Sequence, residues 1–422
     1  MPSESILDKI HFVNFPFSIQ NFIFVEYLRS KAMDDLGFLG NFVIEDYLWQ
    51  SLVVLGVLVV AFVVQLSILI GHYGRIASYR NPAPSSEADK VGISVIVPLF
   101  EADFRFLDES LPVLLAQKHN PYEVVLVNVT GNEDFTEHIK LLKITNPRLS
   151  ATIMKVVPHC PISTKMALNV GIKAAQYDNL IFTLPTCTPR SERWADAFAR
   201  GFVGHDVVLG YTSLLPYKGA GSNSVRVANL ILSARWIADA VKGRPWRGVL
   251  SNLGFTKKAY YDARGFNHLN LNAGEDDLFV SKIATRENTS IVLGGPATMN
   301  RRVWPGWWKE ERGSRATTHR HYPLRARFAM GAELWTRALF FLSALAVALF
   351  LPSVAGYVAL GMFVIREIVA LLIAARTARR LSDRTPLAVY PLYDFVAPAR
   401  EWAQGIKQLF TPKKRKWNSK NT

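Results

Sequence analysis

The stretch Ser51–Ile70 reads SLVVLGVLVVAFVVQLSILI and carries no charge. About 20 such residues are what a helix needs to cross a hydrocarbon core of roughly 30 Å. In that medium a lone segment must satisfy its own backbone, so it has to be helical. A buried globular helix is the alternative reading of the same run. Acidic Glu45 and Asp46 precede it, and Arg75, Arg80 and Lys90 follow it. The basic flank is expected on the cytoplasmic side, with the N-terminus outside. The expected first span covers residues 48–75. Residues 1–47 are mixed, with Ile6, Phe12, Phe17, Ile19, Phe22, Phe24, Tyr27 and Leu28 at helical spacing. No basic lead precedes a short apolar core, so no cleavable signal peptide is expected. This N-terminal amphipathic segment fits a membrane interface or the side of the first span.

A second apolar region follows Arg325 and Arg327. Leu334–Leu351 and Val354–Ala375 flank Pro352-Ser353, and Arg376, Arg379 and Arg380 come after. Residues 333–376 therefore read as a transmembrane hairpin with both basic ends inside, consistent with the first span. Arg366 and Glu367 fall within its second helix. A charge there costs roughly 2.5–3.5 kcal/mol on an insertion scale. Either they pair with Arg337 or face protein, or that helix is not a simple span. Residues 377–422 read as an interfacial segment ending in the basic tail Lys413-Lys414-Arg415-Lys416-Trp417, suited to anionic headgroups.

Between these regions lies a different pattern. Asn81–Asp89 (NPAPSSEAD) reads as a linker over residues 81–90. Short β-branched runs then alternate with helical segments. Strands are expected at Ile93–Val97, Glu123–Val127, Ala151–Val157, Leu180–Thr183 and Val207–Leu209. Helices are expected at Phe104–Gln117, Phe135–Lys143, Thr164–Ala175 and Glu192–Phe202. This alternation predicts an α/β fold with a doubly wound, mostly parallel sheet over residues 91–330. Ligands of such sheets sit beyond the carboxyl ends of the strands. Those ends are Pro98–Asp103, Asn128–Asp134, Pro158–Lys165 and Leu184–Thr188. The formal net charge of +15 implies an anionic partner: phosphorylated substrate, membrane surface or nucleic acid. Much of that charge flanks apolar segments, which favours the first two and argues against nucleic acid. Cys160 and Cys187 are the two cysteines, giving neither a disulfide framework nor metal-ligand spacing.

One loop concentrates acidic chemistry. Asn272-Ala273-Gly274-Glu275-Asp276-Asp277-Leu278-Phe279 sets three carboxylates between a glycine and an apolar run. Adjacent like charges raise one another's pKa, and a carboxylate held near neutrality is a general base for a hydroxyl nucleophile. A solvated helix start is the other reading, because acidic residues favour a first turn.

Taken with their order and spacing, several stretches resemble a membrane-anchored family 2 glycosyltransferase of the A-type, nucleotide-diphospho-sugar transferase fold. They are Ser94-Val95-Ile96-Val97-Pro98, Glu123-Val124-Val125-Leu126-Val127, Lys165-Met166-Ala167-Leu168-Asn169-Val170-Gly171-Ile172, Gly243-Arg244-Pro245-Trp246-Arg247-Gly248 and Gly274-Glu275-Asp276-Asp277. The resemblance implies transfer of a sugar, with inversion, from a nucleotide-sugar donor to a glycan or lipid-linked acceptor. It implies a role in cell-envelope polysaccharide synthesis at the inner membrane, with the catalytic domain cytoplasmic. It makes Asp276 the general base, with Glu275 and Asp277 as neighbours that tune it. Pro98, Glu101, Asn128, Lys165 and Arg312 would lie on the donor and its diphosphate. Trp304, Trp307 and Trp308 would lie on the acceptor; an amphipathic interface helix explains the same tryptophans equally well. A solvated lysine at a helix start likewise explains Lys165.

The sequence departs from the family pattern in ways that matter. The family holds Mg²⁺ or Mn²⁺ with an Asp-x-Asp motif after the fourth strand, and here that position reads Leu184-Pro185-Thr186, without a carboxylate. The Asp expected after the second strand falls on Asn128-Val129-Thr130-Gly131, with Glu133 and Asp134 a few residues on. The expected Asn-Glu after the first strand is Glu101-Ala102. The Gln-x-x-Arg-Trp region reads Trp308-Lys309-Glu310-Glu311-Arg312-Gly313-Ser314-Arg315. Two functions follow. One is an active transferase that meets the diphosphate with Lys165, Arg301, Arg302, Arg312 or Arg315. The other is a catalytically inactive scaffold or regulatory subunit for a partner glycosyltransferase.

Overall fold

The computed structural model describes residues 37–155, 162–219, 221–268, 274–350 and 353–410. The N-terminal segment up to residue 36, Cys160, Asn272-Ala273 and the basic tail lie outside the described residues. The chain divides into two compact units: Met1–Leu66 with Glu333–Ile368, and Ser67–Ala332 with Val369–Thr422.

Among its described residues the larger unit holds ten strands: β1 (Ile93–Leu99), β2 (Tyr122–Asn128), β3 (Leu149–Ile153), β4 (Asn179–Phe182), β5 (Cys187–Pro189), β6 (Val207–Gly210), β7 (Thr212–Leu214), β8 (Leu253–Thr256), β9 (Thr289–Val292) and β10 (Met299–Arg301). Seven form the main sheet in the order β3-β2-β1-β4-β8-β6-β9. Its neighbours run parallel except β8, which is antiparallel to both β4 and β6. The sheet is thus the doubly wound, mostly parallel α/β arrangement that the alternation predicts.

β1 is buried along its whole length, because helices cover both faces. Ile96, Val125 and Val127 pack with Ala167, Leu168 and Ile172 of the helix Thr164–Ala174. On the opposite face Val95, Val97, Val124 and Leu126 meet Phe106, Leu114, Phe135, Ile139 and Trp194. Gly171 allows the first contact: a Cβ there would stand 2.5 Å from Ile96 Cγ2. The third strand begins earlier than expected, at Leu149, and ends at Ile153; positions 156–157 of the expected strand are outside the described residues. A smaller sheet, β5-β10-β7, lies at the exit of β4, with β10 antiparallel to β5 and parallel to β7.

The expected linker is tied down at its first residue. Asn81 exchanges hydrogen bonds with Leu293, its amide reaching the carbonyl at 2.6 Å and its Oδ1 accepting from the backbone N–H at 3.0 Å.

In the smaller unit, Leu58 and Ala61 pack with Phe340, Phe341, Ala344, Val347 and Ala359. Among the described residues, three helices are long and apolar enough to cross a membrane: Trp49–Ser78, Leu324–Phe350 and Val354–Leu381. Arg366 is fully buried. It donates to Glu367 and, at 3.2 Å, to Gln65 Oε1, and its guanidinium lies 5.0 Å from the centre of the Phe341 ring. Arg337 donates to Glu333, one turn earlier on its own helix. The charges within the hairpin therefore face protein.

Candidate active site

The acidic loop enters the helix Asp277–Ile283. Gly274 has φ +104°, a left-handed conformation that favours glycine, and its carbonyl accepts from Phe279 N–H at 3.0 Å. Leu278, Phe279 and Val280 are buried, and Phe279 lies against Phe255 and Phe266 with ring centres 5.0 and 4.8 Å away. This apolar anchor fixes where the three carboxylates point.

They point to different surroundings. Asp277 is buried; its Oδ2 accepts from Thr318 Oγ1 at 2.7 Å and Tyr322 OH at 2.5 Å. Asp276 is the most exposed of the three and caps the helix, with Oδ1 accepting from Asp277 N–H at 2.7 Å and Oδ2 from Leu250 N–H at 3.2 Å. Burial pushes the Asp276 carboxyl up to about 7; Asp277 and Glu275 add to the rise and Arg247 opposes it. Burial also raises Glu275, against the charge of Lys165. Glu275 Oε2 is enclosed without a hydrogen-bond partner among the described residues.

Basic groups complete the cluster. Burial lowers the pKa of Lys165, and Glu275 counters it. Lys165 begins a helix capped by Ser163, whose hydroxyl accepts from Met166 N–H. Arg247 is 3% exposed. Burial works against its charge, but Tyr322, Asp277, Asp276 and Glu311 outweigh this and hold its pKa above the ordinary value. Arg315 sits 4.7 Å from the centre of the Trp308 ring. Burial, reinforced by repulsion from Arg247, pushes the Arg315 guanidinium down to about 10. Both arginines share Glu311, at 3.8 and 3.7 Å. Neither Nε has a hydrogen-bond partner among the described residues.

The remaining expected residues fall in several places. Trp307 and Trp308 are buried, packing with Leu214, Ala228 and Val303, while Trp304 stays 44% exposed. Arg312 is half-buried on the same helix as Trp308. Pro98 lies inside β1, paired in register with Val127, and Glu101 is exposed just beyond the strand. Asn128 is 1% exposed and committed to its own turn. Its amide donates to Thr136 Oγ1 at 2.8 Å, and its Oδ1 accepts from the N–H and the hydroxyl of Thr130.

Arg247, Glu311, Thr318 and Tyr322 carry the site's electrostatics without standing out in sequence. Arg247 belongs to one of the family-like stretches, but nothing local marks it as the counter-charge of Asp276.

No protein-family model matches this sequence, and neither does any curated protein. Among solved structures, the chain is similar to the mannosyltransferase PcManGT from Pyrobaculum calidifontis in complex with GDP-Man and Mn²⁺. That match has a TM-score of 0.50 and 15% identity, covering 85% of this chain and 99% of that one. The chain has the A-type glycosyltransferase fold. A second match is TarS 1–349 of S. aureus, at TM-score 0.38 and 16% identity, covering 76% of this chain and 93% of that one. The charge of Lys165 acts on Glu275, that of Arg247 on Asp276, and Arg247 and Arg315 repel one another.

Proposed function

We propose that this chain is a membrane-anchored, inverting glycosyltransferase of the family 2 type. It moves a sugar from a nucleotide-sugar donor to a hydroxyl of a glycan or lipid-linked acceptor. The observation that carries the reading is Asp276: a part-exposed carboxylate, fixed by two backbone N–H groups, in an environment that lifts it to about 7.

A carboxylate in that condition takes a proton at neutral pH, as a general base must. The acceptor oxygen attacks the anomeric carbon as its proton passes to Asp276. The bond from that carbon to the diphosphate oxygen breaks, and the electron pair leaves with the nucleoside diphosphate. Asp277 stays within its hydrogen bonds to Thr318 and Tyr322, a fixed negative neighbour that keeps Asp276 basic. Exposed Trp304 is the ring that reaches an acceptor, whereas Trp307 and Trp308 are buried against Leu214, Ala228 and Val303.

Three candidate membrane helices support placement at the inner membrane with the transferase domain on the cytoplasmic face. The inactive-scaffold reading draws on Asn128, whose side chain is already committed where the family presents a carboxylate to the nucleotide.

Nucleoside diphosphate released from a panel of nucleotide sugars by the full-length protein, in detergent with membrane-lipid extract, tests the reading. Release by the wild type that falls by roughly 10²–10⁴ in Asp276→Asn is the expected result. No release from any donor, or equal release by Asp276→Asn, favours the scaffold.

A further inference from the structure

The fold family implies a divalent cation beside the strand exits, so the residues there can be tested for fit. A hard cation needs about six oxygen ligands, usually with carboxylates among them. After β4 come Thr183, Leu184, Pro185 and Thr186, none able to offer a carboxylate. Among the described residues, no three His, Cys, Asp or Glu side chains gather as a metal site would require. Asp103, in the loop after β1, already has a cationic partner, Arg302. The donor set does not fit the ion.

Arg302 occupies the ground between those two strand exits. It follows β10, whose antiparallel pairing with β5 sets Arg301 opposite Cys187 and so brings Arg302 against Thr186. The backbone N–H of Arg302 donates to Thr186 O at 2.8 Å. Its Nη2 donates to Asp103 Oδ2 at 3.0 Å and reaches Pro185 O at 3.4 Å. Its Nε is enclosed and has no hydrogen-bond partner among the described residues. The side chain as a whole is 21% exposed. A partly exposed guanidinium, oriented by Asp103, is thus held between the carboxyl ends of two adjacent parallel strands, where phosphate groups bind in such sheets.

We infer that Arg302 replaces the divalent cation, so that this protein binds its nucleoside diphosphate without metal. The inference rests on the transferase reading above. A guanidinium suits the task because it stays charged and can meet two phosphate oxygens at once. Asp103 orients it and, together with the two backbone contacts, keeps it from folding away before ligand arrives.

Calorimetric titration of the full-length protein in detergent with UDP, GDP, ADP, CDP and dTDP, first with Mn²⁺ and then with EDTA, tests this. Binding of at least one diphosphate with the same affinity in EDTA, within about twofold, is expected. In EDTA, Arg302→Ala should weaken that binding roughly tenfold or more, and Arg302→Lys should weaken it less. The paramagnetic resonance signal of Mn²⁺ should stay that of the aqueous ion when protein and nucleotide are both present. Binding that vanishes in EDTA, a bound-Mn²⁺ signal, or wild-type affinity in Arg302→Ala overturns the inference and leaves the transferase reading standing. If no diphosphate binds in either condition, the transferase reading fails and the inference falls with it. The EDTA arm uses the unaltered protein, so a variant that misfolds does not decide the outcome.

Discussion

The hydroxyl of Tyr322 donates to Oδ2 of Asp277 at 2.5 Å, joining residues 45 positions apart. Thr318 donates to the same oxygen from one turn earlier. The segment after the helix Trp307–Thr318 is thereby locked to the start of the helix that bears the acidic loop. Tyr322→Phe removes one donor from a buried carboxylate, a loss of about 1.5–3 kcal/mol. A fall in thermal midpoint is the expected readout, larger than that of an exposed control such as Tyr261→Phe. Equal midpoints would mean the contact contributes nothing.

The Asp276 carboxyl lies at about 7, above its value in an unfolded chain. The folded state therefore binds more protons between roughly pH 4 and 7, and stability falls as pH rises through that window. Asp276→Asn removes this penalty. Its unfolding free energy should exceed that of wild type at pH 8 by an amount on the order of 2 kcal/mol after allowing for partial exposure, read as a higher thermal midpoint, and converge with it near pH 4. The same substitution should lower turnover by roughly 10²–10⁴, so stability and activity should move in opposite directions.

Turnover of the wild type should fall as pH drops through about 7, where the base takes a proton. Asp277 and Arg247 set that limb from opposite sides. Removing the negative neighbour with Asp277→Asn should move the limb to lower pH. Removing the counter-charge with Arg247→Met should move it higher. Rate profiles of the two variants that shift together, or stay in place, would take the base role away from Asp276.

The central strands β1, β2, β4 and β6 are legible because each is an apolar run buried nearly throughout, a continuous apolar signature, whereas β8 and β9, short and without such a run, are not. β3 was harder, since Ser150 and Thr152 are polar and its residues are only partly covered. The acidic loop was readable because three carboxylates beside a glycine are conspicuous. Their division of labour was not: which carboxylate is sealed depends on Thr318 and Tyr322, 41 and 45 residues away. The role of Arg247 has no local signal for the same reason, its partners being supplied by tertiary packing. Trp307 and Trp308 were ambiguous because a tryptophan suits a sugar, a bilayer interface or a core, and only the packing around Leu214 and Val303 decides between them. Arg302 is one of several basic residues in the sequence, and its place depends on the pairing of β10 with β5.

Arg366 and Glu367 stood out as misplaced charges, yet the contact to Gln65, 301 positions away, had no local signal. Gln65 also donates to Thr336 Oγ1 at 2.8 Å, so one amide connects two other helices of the smaller unit. A buried charge that loses its partner is strongly destabilising, whereas replacing both partners with apolar groups is often neutral. Arg366→Met should therefore lower stability by about 3–5 kcal/mol and reduce the yield of folded protein in detergent. Combining it with Glu367→Met should recover most of the loss, because no uncompensated carboxylate remains. Thermal unfolding in detergent of the single and double variants makes the comparison. If the double variant is as weak as the single one, the Gln65 and Phe341 contacts of the guanidinium, rather than its charge balance with Glu367, hold these helices together.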